Sequence, residues 1–300
     1  MPTALVTGTS TGIGQATALR LARAGWTVLA GVRDSAAGER LVEQLADGRR
    51  PEDPHPSGGR IEPLMLDVTD DRQIAQAAER VGELTGGAAG NEAGSAVGGL
   101  DALVNNAGLG ISGPLELISM QDIRRHLEVN LLGQVALTKA MLPALRAADG
   151  RIVFLSSVGG RVAMAFTGPY AAAKHGLEAI GDVLRVELHS SGIQVALVEP
   201  GSVATPIWGK SLDAERQLVV PPELTKQYGH VPAAMAKNIR NTEKRGISPE
   251  QVAQTIQTAL AARRMKPRYV VGRDARAMIA VRRLLPDRLF DRLSKLAMGA

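Results

Sequence analysis

Tyr170 and Lys174 stand four apart in Tyr170-Ala171-Ala172-Ala173-Lys174, a stretch of helical composition, so their side chains share one face. A phenol ionises near ~10 and is a poor proton carrier at neutral pH, but a neighbouring ammonium favours the phenolate. Alone, such a pair is common on helices and decides nothing; its surroundings carry the weight. Thirteen residues before Tyr170, Ser157 follows the apolar run Ile152–Leu155, where a hydroxyl at the end of a strand could donate to a substrate oxygen. Spacing alone leaves Ser156 as a competitor. Asn130 falls on a helical stripe of Ile123, Leu127, Gln134, Leu137 and Met141, so an amide is buried there. A buried polar group costs ~1–3 kcal/mol without a partner. It is therefore either part of a proton path or a structural amide bonded to a neighbouring backbone.

A source for the other half of a redox reaction lies at the start of the chain. The first apolar run enters Thr7-Gly8-Thr9-Ser10-Thr11-Gly12-Ile13-Gly14, and a helix follows at once. Glycines there let backbone amides approach a pyrophosphate, and the helix N-terminus adds unpaired N–H groups and partial positive charge. After the second run, Leu29-Ala30-Gly31-Val32-Arg33-Asp34 offers Arg33 to a 2′-phosphate, while Asp34 is better placed to start the next helix. This favours NADP(H), with NAD(H) as the second possibility. Asp67-Val68 closes the third run, where a carboxylate could accept from an adenine amino group; a helix cap is the competing role, since Thr69 and Asp70 follow. An oxidised nicotinamide ring beside Tyr170 would further favour the phenolate.

These residues need elements to hold them. Apolar runs at Thr3–Thr7, Thr27–Gly31, Ile61–Leu66, Leu100–Asn105, Arg151–Ser156, Gln194–Glu199 and Tyr269–Val271 read as strands. Between them, Gly14–Ala24, Ser35–Ala46, Asp70–Leu84, Gln121–Ala147, Tyr170–His189 and Pro249–Ala262 read as helices. Continuous apolar strands alternating with helices predict an α/β fold, a single-domain, Rossmann-like, doubly wound parallel sheet of about seven strands covered on both faces. Gly48–Gly59 and Gly86–Gly99 read as loops within that domain. Ser202–Arg245, with Trp208, Pro221, Pro222 and Tyr228, reads as an irregular excursion from a strand's carboxyl end, the natural place for a substrate lid.

Composition narrows the function further. Hydrophobic residues make up 45% and aromatics 3%, so the core is built from aliphatic side chains, and there is no cysteine to form disulfides, thiolates or thiolate metal sites. The five histidines show no metal-type pairing. No run reaches the ~18 apolar residues of a membrane span, and Met1 leads directly into Ala4-Leu5-Val6 without a signal-like segment. A cytoplasmic setting fits these features. The net charge of +5 is concentrated at one end, where residues 263–295 hold eleven Lys or Arg and three Asp. With few aromatics for base stacking and no nucleic-acid motif, nucleic acid is not the expected partner.

The segments Thr7–Gly14, Asn105-Asn106-Ala107-Gly108, Asn130, Ser157, Tyr170-x-x-x-Lys174 and Pro200-Gly201 together resemble the short-chain dehydrogenase/reductase family over residues 3–205 and, weakly, to about 272. The resemblance implies that Tyr170 is the general acid/base, that Lys174 lowers its pKa and holds the nicotinamide ribose, and that Ser157, not Ser156, polarises the carbonyl. It implies that Asn130 holds a water in a relay to Lys174. Gly8, Ser10, Thr11, Gly12, Ile13 and Gly14 would cradle the dinucleotide; Arg33, Asp67 and Val68 would meet its adenosine half. Asn106, Ala107 and Gly108 would line the cofactor, and Pro200, Gly201, Val203 and Thr205 would seat the carboxamide. Thr11 stands where some NADP-using relatives carry a basic residue. Val28–Asp34 and Asn105–Leu115 look most like the branch containing hydroxysteroid and retinol dehydrogenases, which implies a lipophilic alcohol or ketone. A silent cofactor-binding sensor and an epimerase or dehydratase of the same fold are the alternatives.

The Ala- and Gly-rich helix Tyr170–Gly181 would permit close packing in a homodimer or homotetramer. Residues 1–272 read as the catalytic domain and 273–300 as a basic amphipathic tail of two short helices broken at Pro286, with Leu289, Leu293 and Leu296 on one face and Phe290 beside it. Such a tail reads first as a cover for the active site or a second subunit; contact with a membrane surface and a loose end are the alternatives.

Overall fold

The computed structural model describes residues 1–48, 58–86, 99–205, 207 and 218–298, and of residues 296–298 only the backbone. The two segments expected as loops, and Trp208, fall largely or wholly outside these. Among the described residues, seven strands form one parallel sheet in the order β3-β2-β1-β4-β5-β6-β7. They are β1 (Thr3–Val6), β2 (Thr27–Val32), β3 (Arg60–Met65), β4 (Ala102–Asn105), β5 (Arg151–Leu155), β6 (Gln194–Pro200) and β7 (Arg268–Val271). All lie within about two residues of the expected bounds.

Neighbouring residues on a strand serve opposite faces, which is why the strands must be apolar throughout. Val6, Val28, Val104 and Val153 pack beneath helices α1 (Gly12–Arg23), α2 (Ser35–Asp47) and α9 (Pro249–Ala261). Leu5, Leu29, Leu103 and Phe154 pack against α3 (Asp71–Leu84), α5 (Gly133–Ala147) and α6 (Gly168–Glu187). Pro63 is tolerated in β3 because that strand is an edge.

Three departures from expectation matter for the site. The stretch expected as one helix over Gln121–Ala147 is α4 (Met120–Leu127), a π turn (Glu128–Leu132) and α5, and Asn130 sits in the turn. The excursion expected to be irregular contains α7 (Thr225–Tyr228) and a 15-residue helix, α8 (Val231–Arg245), which buries Val231 and Met235. The tail is helical as expected, α10 (Arg273–Leu284) and α11 (Asp287–Met298) flanking Pro286, with Phe290 buried.

The order reverses between β1 and β4, so their carboxyl ends open a crevice at the switch point. Everything expected to do chemistry lies above it.

Candidate active site

A single cavity of about 1220 Å³ occupies that crevice. At its dinucleotide end, β1 passes into the Gly-rich turn. Gly8 and Gly12 adopt left-handed φ of 66° and 63°, which glycine takes without strain. A side chain at Gly14 would put its Cβ 2.2 Å from the Gly8 carbonyl oxygen, so α1 can cross β1 closely only with glycine there. Gly8, Ser10, Thr11, Gly12 and Ile13 line the cavity, whereas Gly14 lies behind the wall and acts through packing. The turn is pinned from the next strand: Thr7 Oγ1 accepts from Asn106 N at 2.9 Å and Ala107 N at 2.8 Å, and Asn106 Nδ2 donates to Thr7 O at 2.8 Å and Gly8 O at 3.1 Å. Ala107 and Gly108 continue along the wall.

Arg33 is exposed on the cavity rim and 4.0 Å from Asp67 Oδ2, too long to tie it down. Asp34 caps α2, accepting from Ala36 N at 3.1 Å. Asp67 is not the helix cap: its Oδ1 accepts from Thr69 N at 3.0 Å in the turn before α3, and the residue, with Val68, faces the cavity. Asp70 is the cap of α3. This arrangement of an open glycine cradle, a helix N-terminus and an exposed guanidinium fits a phosphorylated dinucleotide.

At the other end, Ser157, Tyr170 and Lys174 converge. Ser157 leaves β5 and accepts from Gly159 N at 3.1 Å, and its hydroxyl hydrogen-bonds the Tyr170 phenol. Ser156 is also buried, but its hydroxyl has no partner among the described residues. Tyr170 lies in the first turn of α6, where the helix N-terminus favours negative charge. Burial nevertheless pushes the phenol above its ordinary value, against the pull of the Ser157 hydrogen bond. The Lys174 ammonium lies 5.9 Å from the ring centroid and donates to Leu155 O at 2.7 Å. Burial brings Lys174 down to about 8, and the charge of Glu178 opposes that drop.

Asn130 is completely occupied. Its Oδ1 accepts from Leu109 N at 2.8 Å, and its Nδ2 donates to Leu109 O at 2.9 Å and meets His126 Nε2 at 2.6 Å. The side chain thus behaves as a bonded structural amide. π turns of this kind are frequent at functional sites. Pro200, Gly201, Val203 and Thr205 lie on the wall where β6 ends.

Sequence reasoning missed several wall residues. His126 is buried 6.0 Å from the Tyr170 ring, and its imidazole is brought down to about 4 by burial and by the Lys174 charge. Phe166 holds a left-handed φ of 66° on the wall, a conformation that costs a non-glycine residue energy and is concentrated at functional sites. Met235 and Ile239 from α8, and Met278 from α10, add apolar surface. Asp274 accepts from Ser202 N at 2.7 Å and so ties α10 to the turn after β6.

A model of the short chain dehydrogenase family matches residues 2–216. The chain belongs to this family and is an oxidoreductase. It is 32% identical over 295 residues to an NADPH-dependent 3-dehydrocapnine reductase of Ornithobacterium rhinotracheale, covering 97% of this chain and 95% of that one. It is 35% identical over 301 residues to retinol dehydrogenase 5 of Mus musculus, covering 95% and 85%. The crystal structure of a short-chain dehydrogenase from Streptomyces avermitilis is 27% identical with a TM-score of 0.73, covering 98% and 95%. Among the described residues, no helix is long and apolar enough to cross a membrane.

Proposed function

We propose that this oxidoreductase transfers hydride reversibly between NADP(H), with NAD(H) as a second choice, and a lipophilic secondary alcohol or ketone. The observation that carries the reading is the hydrogen-bonded Ser157–Tyr170 hydroxyl pair, set in the same cavity as the glycine cradle and backed by Lys174. When bound, the nicotinamide ring supplies or accepts the hydride. Ser157 donates to the substrate oxygen, and Tyr170 delivers or takes its proton. Lys174 keeps a positive charge beneath the phenol and the ribose, which offsets the upward push of burial as the phenolate forms. The cradle residues hold the pyrophosphate, and Arg33 holds the 2′-phosphate. The NADPH-dependent relative supports the cofactor preference.

The lipophilic substrate rests on the wall. Met164, Phe166, Met235, Ile239 and Met278 give it an apolar lining, and retinol dehydrogenase 5 is among the relatives. In this reading 1–272 is the catalytic body and 273–300 its cover, since Arg273, Asp274 and Met278 of α10 reach the cavity. A cytoplasmic homodimer or homotetramer packed through α6, whose Val183 and Val186 are exposed, belongs to the same reading. The test is oxidation of NADPH by a panel of lipophilic ketones. Activity that falls by ~10²–10⁴ in Tyr170→Phe, with cofactor binding retained, supports it; binding without turnover on the whole panel overturns it.

A further inference from the structure

One turn along α6 from Lys174, charged side chains from separate elements meet in the interior. Glu199, on β6, is 0% exposed, and Glu178, on α6, is 6% exposed. Arg268 of β7 shares its Nε between them, at 2.9 Å from Glu178 Oε2 and 3.0 Å from Glu199 Oε1, while its Nη2 donates to Asp182 at 2.7 Å. Arg161, in the segment that follows Ser157, donates to Glu199 Oε1 at 3.2 Å. Each glutamate keeps a second oxygen, Glu178 Oε1 and Glu199 Oε2, that is buried without a partner among the described residues. The two carboxyl groups converge on the same Arg268 Nε, and the Glu178 side chain acts directly on Glu199.

Acceptor arithmetic then favours one arrangement. Both guanidinium groups are directed at the other oxygens, so two full carboxylates would leave two unpartnered anionic oxygens in a dry interior, which is costly. A single proton shared by the pair removes one of the two buried charges and lets one carboxyl donate to the other. We propose that Glu178 and Glu199 share one proton at neutral pH, and that the pair positions Lys174. Glu178 lies one helical turn beyond Lys174 on the same helix, and its residual charge supports the ammonium. Glu199 immediately precedes Pro200-Gly201, and Arg161 follows the Ser157 segment. The cluster thus joins the three chain segments that bear the active-site residues. The groups facing the pair are Lys174 and Asp182 from α6, Arg161 from the turn after β5, and Arg268 from β7.

Burial and the Glu178 charge raise the Glu199 carboxyl to about 7, against the pull of Arg161. A raised folded value means that its share of stability is present below the ordinary carboxylate range and is lost as pH rises through about 7.

Full-length wild type, Glu178→Gln and Glu199→Gln distinguish this pair from a merely structural cluster. Infrared spectra of the wild type at neutral pH should contain a buried protonated-carboxyl C=O band that is missing from Glu199→Gln. Glu199→Gln, which replaces the shared proton by an amide donor, should also lose the wild-type fall in melting temperature between mildly acid and mildly alkaline pH. In ketone reduction, Glu178→Gln should move the alkaline limb of the pH–rate profile down by about one unit, the size of effect a neighbouring charge exerts. Glu199→Gln should leave that limb in place. A wild type without the carboxyl band overturns the shared proton. Two variants that melt lower together and leave the limb unmoved overturn the positioning role. Only the kinetic arm rests on the hydride-transfer reading; the infrared and melting arms stand without it and need only the wild type and Glu199→Gln.

Discussion

The ammonium of Lys174 is bonded at 2.7 Å to the carbonyl of Leu155, the last residue of the strand that delivers Ser157. Lys174 is therefore fixed by the sheet while Tyr170, one turn earlier on α6, is fixed by Ser157. Burial lowers Lys174 to about 8, so the ammonium is present at neutral pH and is lost as pH rises through that value. Ketone reduction should accordingly fall above about 8, and Lys174→Met should remove the limb along with most of the activity. Because the folded value is depressed, the buried charge also weakens the fold below about 8 and relaxes as pH rises. A rate that stays flat well beyond that pH would show that Lys174 plays no part.

Arg33 is the second test. Among the described residues its 60%-exposed side chain has only the 4.0 Å approach of Asp67 to restrain it, so it is available to a phosphate. Arg33→Ala should lower the NADP-to-NAD preference in kcat/KM by roughly ten- to a hundredfold, the loss of about 1.5–3 kcal/mol for hydrogen bonds to a charged group. A ratio that does not change would assign the 2′-phosphate to another residue.

The acid side of stability should depend on His126. The neutral ring accepts from Asn130 Nδ2, and protonation would replace that acceptor with a donor in a buried site. Its imidazole is brought from 6.5 to about 4, so the fold loses its contribution as pH falls through about 4, a difference of ~3 kcal/mol. His126→Phe should flatten the fall in melting temperature over that range. If the variant retains the full wild-type acid limb, the titration responsible lies elsewhere.

How much of this was legible in the sequence follows from the range of the forces involved. β1 and the turn after it could be read because apolar continuity and glycine spacing are local. Ser157, Tyr170 and Lys174 stood out because a strand end and a helical turn place them without reference to the rest of the chain. Helix α8 was hidden: Val231, Met235 and Ile239 form a thin stripe in an otherwise polar segment, and what makes it helical is burial against the cavity. The π turn was hidden because one extra residue hardly disturbs the stripe through Asn130 and Gln134. His126 and Asp274 gave no local signal. Asp274 bonds a backbone amide 72 positions away.

That bond makes the last prediction. Asp274 Oδ2 holds Ser202 N at 2.7 Å, and its carboxylate lies so close to Gly201 that a Cβ there would sit 2.4 Å from either oxygen. The tail therefore holds the turn that carries Pro200, Gly201 and Val203 in the shape it presents to the cavity. Removing the carboxylate frees that turn, and the lost hydrogen bond, discounted for the solvent exposure of Asp274, is worth ~1 kcal/mol. Asp274→Ala should raise the KM for cofactor by roughly five- to tenfold while the melting temperature stays close to wild type. A chain ending at Val271, which also removes Met278 from the wall, should lose affinity for lipophilic substrate as well. Unchanged constants for both ligands in the shortened chain would leave α10 as packing alone.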